Sequence, residues 1–201
     1  MVEMNIESIG TLERRSVVAE LLVDRGKLLV VTGLGSPSYD VTAAGDMGTN
    51  FYLWGAMGSA ATVGLGLALA QPEKPVTVIT GDGEMYMGLG ALSTIGAKQP
   101  KNLSIIVLDN GRFGETGMQK AHSSYGIDLA GVAQACQFNT VEKIEDMNGI
   151  SQFRPLLQST NSGLRFAQVM IKAENLVRTI PPRDNVHLKN RFRAALGFSM
   201  I

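Results

Sequence analysis

Apolar residues recur at helical spacing through positions 10 to 25, at Leu12, Val17, Leu21 and Leu22, which predicts a helix ended by the Arg25-Gly26 step. Leu28 to Val31 is a short, wholly apolar run and is expected to be a strand. The segment Thr32 to Asp40, TGLGSPSYD, has no period and carries Pro37, so it reads as a loop beyond that strand. From Met57 to Ala70 small and apolar residues fall on every side, the pattern of a helix buried against a sheet or a second subunit. Val76 to Thr80 and Leu103 to Leu108 are β-branched, uninterrupted apolar runs, as central parallel strands covered on both faces require. Between them, Met85 to Ala97 reads as a single helix.

Beyond Phe113 the chain reads as loop as far as Tyr125, and Asp128 is placed to cap a helix running through Val132 to Cys136. A strand near Thr140, a helix from Asn148 to Leu157 and a strand from Arg165 to Ile171 continue the alternation, and the ending from Pro181 predicts a turn and a basic helix. Strand and helix alternate throughout. The expected fold is therefore one α/β domain over residues 1–201, a doubly wound, mostly parallel sheet with helices on both faces, with the basic tail helix of 181–201 inside it.

Composition narrows the function. The 18 basic and 18 acidic residues balance, so no net field points to nucleic acid or to an anionic membrane surface. A single cysteine, Cys136, excludes an internal disulfide and any iron–sulfur cluster, and fits a reducing cytoplasm. The N-terminus has no apolar stretch of signal-peptide type, and no segment approaches the ~20 apolar residues of a membrane span, so a soluble, cytoplasmic chain is expected. Glycine clusters between Gly33 and Gly117, where a backbone must approach something closely.

The chemistry lies in that zone. The strand Val76 to Thr80 delivers Gly81-Asp82-Gly83 at its carboxyl end, just ahead of a helix, so glycine amides and a helix N-terminus face a phosphate-type anion. Asp82 adds a hard carboxylate oxygen, which suits Mg²⁺ shared with phosphate oxygens. A second ligand is then needed. Asn110 supplies it from the end of the strand Leu103 to Leu108, because adjacent parallel strands lie about 4.8 Å apart and two strand tips can share one ion.

Gly81-Asp82-Gly83, then a helix and a strand, then Asp109-Asn110 resembles the signature of thiamin diphosphate enzymes. That resemblance implies metal ligation by Asp82, Asn110 and the backbone carbonyl of Arg112. It implies that the Gly55 carbonyl accepts from the aminopyrimidine while Met57 wedges the cofactor into its bent form. Gly35 and Ser36 would touch the diphosphate, and Phe113, Gly114 and Glu115 would close over it with backbone amides. Glu84 departs from the Ser or Ala usual after GDG, and its carboxylate is expected to point away from the diphosphate or to pair with a cation, while its amide still donates.

FYLWGAMGSA, LDNGRFGETGMQ and TIPPRDNVHLKNRFRAALG resemble phosphonopyruvate decarboxylases and the β subunits of sulfopyruvate decarboxylases. The implied activity is decarboxylation of a small 2-oxo acid bearing a second anionic group, with release of an aldehyde. Thiamin chemistry also needs a glutamate on the pyrimidine N1′. No glutamate here lies in the framework that would supply one, so a separate pyrimidine-binding subunit is expected to provide it, in a hetero-oligomer that also contains a homodimer of this chain packed near the helix from Met57. A carboligase or ketol transferase subunit, and a non-catalytic assembly subunit, are the alternatives.

His122 is a candidate to bind the substrate anion or relay a proton, set against a solvated loop histidine. Gln119 and Lys120 stand beside it, and His187 reads as surface. Arg183, Lys189, Arg191 and Arg193 steer an anion, dock a partner or simply solvate a helix face. The segment Thr32 to Ser38 is not read as a dinucleotide fingerprint, because Pro37 interrupts it and no helix is expected to open there.

Overall fold

The computed structural model describes residues 8–199; the first seven residues and the last two, on which parts of the N-terminal and tail readings fall, lie outside the described residues. In chain order the elements are α1 (Arg14–Leu21), β1 (Leu29–Thr32), α2 (Ser36–Ala43), β2 (Asn50–Tyr52), α3 (Ala60–Ala70), β3 (Val76–Gly81), α4 (Asp82–Met87), α5 (Ala91–Lys98) and β4 (Leu103–Asp109). A short hairpin of β5 (Arg112–Phe113) and β6 (Gln119–Lys120) follows, then α6 (Leu129–Ala135), β7 (Thr140–Ile144), α7 (Met147–Phe153), β8 (Arg165–Met170) and α8 (Asn185–Ala195).

Six strands form one parallel sheet in the order β2-β1-β3-β4-β8-β7. The doubly wound architecture follows from the strands themselves. Val78, Ile105 and Phe166 point to one face, where they meet Leu65 of α3, Leu92 of α5 and Leu129 of α6. Ile79, Ile106 and Ala167, one residue further on, point to the other, against Val17 and Leu21 of α1, Val41 of α2 and Phe153 of α7. Side chains alternate across a strand, so a strand covered by helices on both faces buries every residue and is mostly apolar. Every residue of β1, β4 and β8 is buried accordingly.

Four local expectations are corrected. Thr32 to Asp40 is not all loop, because α2 opens at Ser36 with Pro37 in its first turn, where a missing N–H costs nothing. A helix therefore does open after β1, contrary to one ground given against the dinucleotide reading. The expected helix from Met85 to Ala97 is two, divided at Gly88 to Gly90. Part of the loop after Phe113 is the β5–β6 hairpin, and β2 was not expected at all.

The basic tail helix is present. Phe192 of α8 meets Phe51 of the edge strand β2 with ring centroids 5.5 Å apart. Arg191 holds Asp46 through two hydrogen bonds, of 2.6 and 3.0 Å. Arg183 stacks over Trp54, whose indole N–H donates to the Pro182 carbonyl at 2.9 Å. Those two arginines tie the tail to the edge of the sheet.

Candidate cofactor and metal site

Strand order reverses beside β1: its crossover to β2 runs one way, while β3 lies on its other side. The loops leaving the carboxyl ends of β1 and β3 thus part company and leave a crevice, the place where open α/β sheets bind ligands. A cleft of about 650 Å³, counting space open to solvent, lies there.

Asp82 and Asn110 come together at its floor. In the parallel register Gly81 is opposite Leu108, which sets Asp82 beside Asp109, with Asn110 one residue further on. Asp82 is only 2 % exposed, and the Asn110 backbone N–H donates to its carboxylate. The Asn110 side-chain oxygen accepts the Arg112 N–H at 2.8 Å, which turns the chain and fixes that oxygen's direction. Asp82, Asn110 and Arg112 all line the cleft.

The surroundings of Asp82 contain a second buried carboxylate. Asp109 accepts the Gly111 N–H at 2.9 Å and the Gln168 side-chain amide at 2.7 Å. The Ser123 hydroxyl reaches both acids, Asp109 at 2.7 Å and Asp82 at 3.2 Å. Burial, and after it the negative charge of Asp109, pushes the Asp82 carboxyl up to about 8, against the hydrogen bonds from Ser123 and Asn110. A divalent cation at this position opposes both effects.

The donor set suits Mg²⁺. One carboxylate, one amide oxygen and one carbonyl are few and hard, and magnesium completes its octahedron with phosphate oxygens and water. Among the described residues no group of three or more His, Cys, Asp or Glu is placed to hold a metal, so a site built wholly from acidic, imidazole or thiolate side chains is not available. The glycines fit a phosphate group as well. A side chain at Gly83 would run into the Phe113 ring at 2.5 Å, whereas one at Gly81 would meet nothing within 4 Å, on the rim of the cleft.

Glu84 takes neither course expected of it outright. Its carboxylate is buried on the cleft wall, accepts the Thr80 hydroxyl at 2.6 Å and faces the backbone N–H groups of Leu34, Gly58 and Ala60. It bears so closely on Gly33 that a β-carbon there would lie 1.5 Å from Oε2. Among the described residues it has no ion pair; burial raises its pKa, opposed by the hydrogen bonds from Thr80 and the three backbone amides.

The remaining expected residues divide. Ser36, Met57, Phe113, Gly114 and Glu115 line the cleft, with Gly81, Gly83 and Glu84. Gly35 lies just behind Ser36, at φ +82°, and a β-carbon on it would press on the Glu115 side chain at 2.8 Å. Glu115 is in turn bound by Arg178 at 2.8 Å. Gly55 and His122 are not in the lining. Gly55 is exposed at φ +81°, and His122 is exposed against Tyr86, ring centroids 4.7 Å apart, and edge-on to Phe113 at 6.4 Å.

Sequence reasoning missed Arg14, Ser123 and Gln168. Arg14 had a legible signal, since it falls on the same helical stripe as Val17, Val18 and Leu21, all buried: a charge sits in an apolar row.

Residues 37–162 match the family model described as thiamine pyrophosphate enzyme, C-terminal TPP binding domain, a span that includes both Asp82 and Asn110. The chain is 35 % identical over 188 residues to a sulfopyruvate decarboxylase subunit beta of Methanocaldococcus jannaschii, covering 92 % of this chain and 97 % of that one. It is 45 % identical over 143 residues to a phosphonopyruvate decarboxylase of Streptomyces viridochromogenes, covering 71 % of this chain but 34 % of that longer one. A presumed thiamin diphosphate-dependent enzyme from Mycobacterium smegmatis shares the fold at a TM-score of 0.67 and 18 % identity, over 85 % of this chain and 34 % of that one. Matched over more than half of its length, the chain belongs to the thiamin diphosphate (thiamine pyrophosphate) enzymes, as their C-terminal cofactor-binding domain.

Proposed function

We propose that the chain is the diphosphate- and Mg²⁺-binding subunit of a thiamin diphosphate-dependent decarboxylase acting in the cytoplasm on a small 2-oxo acid with a second anionic group. One observation carries the reading: Asp82 and Asn110 adjoin at neighbouring strand ends and line a single cleft. The near-complete overlap with a chain named as a sulfopyruvate decarboxylase β subunit supports the reaction class.

Asp82, the Asn110 side-chain oxygen and the Arg112 carbonyl would hold Mg²⁺, with the amides of Gly81 to Glu84, Phe113, Gly114 and Glu115 and the Ser36 region around the diphosphate. Gly55 and Met57 would orient the aminopyrimidine and wedge it. Thiamin diphosphate, when bound, supplies the carbon nucleophile for the ketone and takes up the electron pair left as CO₂ departs. His122, packed against the Tyr86 ring and edge-on to Phe113 of the cleft wall, is proposed to bind the substrate anion or pass a proton to the product.

The activating glutamate would come from a partner pyrimidine-binding subunit, and two copies of this chain would meet near α3. That helix is apolar all round, yet Thr62, Gly66 and Leu69 are exposed on it, with Met57 and Met87 also exposed, at 45 % and 58 %.

The test is reconstitution. The complex with its partner should bind thiamin diphosphate only with Mg²⁺ and should release CO₂ and aldehyde from a sulfonated or phosphonated 2-oxo acid, while this chain alone should turn over nothing. Ligated product in place of aldehyde would make it a carboligase. A complex that binds no cofactor would make it an assembly subunit.

A further inference from the structure

Arg14 stands at the first turn of α1, at the carboxyl edge of the sheet, where Leu12 bridges to Ile171 just beyond β8. It is 4 % exposed and lines the cleft together with Ser36, Pro37 and Asn110. One of its terminal nitrogens donates to Asp40 at 3.2 Å, and Asp40 also accepts from Arg15 at 3.3 Å. Two guanidinium groups therefore share one fully buried carboxylate, with the Glu174 carboxylate close enough to act on it.

Arg15 is a third exposed and gives a second hydrogen bond, to the Val177 carbonyl at 2.7 Å. Arg14 has no such outlet, and its buried Nε–H has no hydrogen-bond partner among the described residues. Burying a guanidinium is costly unless its donors are met and its charge is balanced. What Arg14 lacks is an acceptor for its Nε–H.

The same corner offers a second feature of the same sign. α2, eight residues long, begins at Ser36 behind a glycine N-cap that provides no capping side chain. Ser36 and Pro37, at the positive end of that helix, and Arg14 thus line one cleft with Gly81 to Gly83 and Asn110. A guanidinium matches phosphate geometry because its donors form a rigid fork.

We propose that Arg14 binds the terminal phosphate of a pyrophosphoryl group through its Nε–H, on the α2 side of the cleft, opposite the metal. This rests on the reading of the cleft as a Mg²⁺–diphosphate site and adds to it a charged ligand from α1. Asp40 is the positioning residue: it engages a terminal nitrogen of the guanidinium and leaves the Nε–H free for the phosphate.

The experiment is titration of the full chain with Mg²⁺ and inorganic pyrophosphate, followed by calorimetry and by the arginine side-chain and backbone amide resonances. The expected result is a downfield shift of the Arg14 Nε–H together with shifts at Gly81 and Gly83, and a loss of affinity of roughly ten- to a hundredfold in Arg14→Gln, with Arg14→Lys intermediate. Shifts at Gly81 and Gly83 with an unmoved Arg14 Nε–H overturn the inference and leave the diphosphate reading standing. So does an Arg14→Gln affinity within twofold of the wild type. Pyrophosphate and Mg²⁺ that move no resonance in the cleft overturn both. The spectroscopic arm uses the unaltered protein, so it decides the matter even where a variant fails to fold.

Discussion

Replacing Gly88 by alanine is a test of how the cofactor loop is held. Gly88 ends α4, and its α-carbon rests against the backbone of Gly58, next to Met57. A β-carbon there would lie 1.9 Å from the Gly58 carbonyl oxygen and 2.9 Å from its carbon, where real contacts are essentially never below 3.0 Å. One backbone segment has to give by at least about 1.1 Å, and neither atom is the free end of a flexible side chain. Overpacking of this kind costs about 1–3 kcal/mol. α4 is anchored by Asp82, Met85 and Tyr86 in the core, so the 55–58 loop, with Gly55 and Met57 exposed, is the side that yields. A shift of about 1 Å in a residue that positions a reactant costs on the order of a hundredfold in rate. Gly88→Ala in the reconstituted complex is therefore expected to keep pyrophosphate affinity, since the Asp82 end does not move, and to lose both thiamin diphosphate affinity and kcat. Calorimetry with the two ligands, a thermal melt and a CO₂-release assay decide it. Wild-type kcat and cofactor affinity in a folded Gly88→Ala would refute the reasoning.

Asp82→Asn removes the charge needed by a divalent ion and the repulsion with Asp109; the rise in melting temperature given by Mg²⁺ and thiamin diphosphate should vanish, while the metal-free melt stays equal or rises. Chelation of Mg²⁺ from the loaded complex should return its melting temperature to that of the cofactor-free protein, as mass action requires. Asn102→Ala should cost about 2 kcal/mol and lower the melting temperature by roughly 4–8 °C in a scan, because its buried side-chain amide serves the carbonyls of Ala68, Gln71 and Lys74 at the end of α3. Arg178→Gln should weaken cofactor binding a few-fold by calorimetry, since Glu115 would stand uncompensated beside Ser36, and Glu115→Gln should restore it.

The central strands were legible because each is buried on both faces and hence mostly apolar and β-branched, broken only by small polar residues such as Thr77 and Ser104. The meeting of Asp82 and Asn110 was legible because spacing along two such strands fixes where their tips emerge. β2 escaped notice because three residues, one of them Asn50, carry too little pattern. The start of α2 was hidden by Gly35 and Pro37, which read as breakers although proline is at home in a first turn. The division between α4 and α5 depends on the contact of Gly88 with Gly58, a tertiary fact with no local signal. Arg14 was legible in hindsight only, as a cation in an apolar stripe. The destination of Glu84 was not legible, since its donors come from three separate segments.

The cleft draws its walls from residues as distant along the polypeptide as Arg14 and Ile171. No short fragment can therefore present it, and the long-range pairings of the sheet are prerequisites for a full grip on a ligand. Occupancy then acts as a clasp on the whole sheet: a protease that samples opened chains should be slowed along the entire sequence, not only at the loops around the ligand.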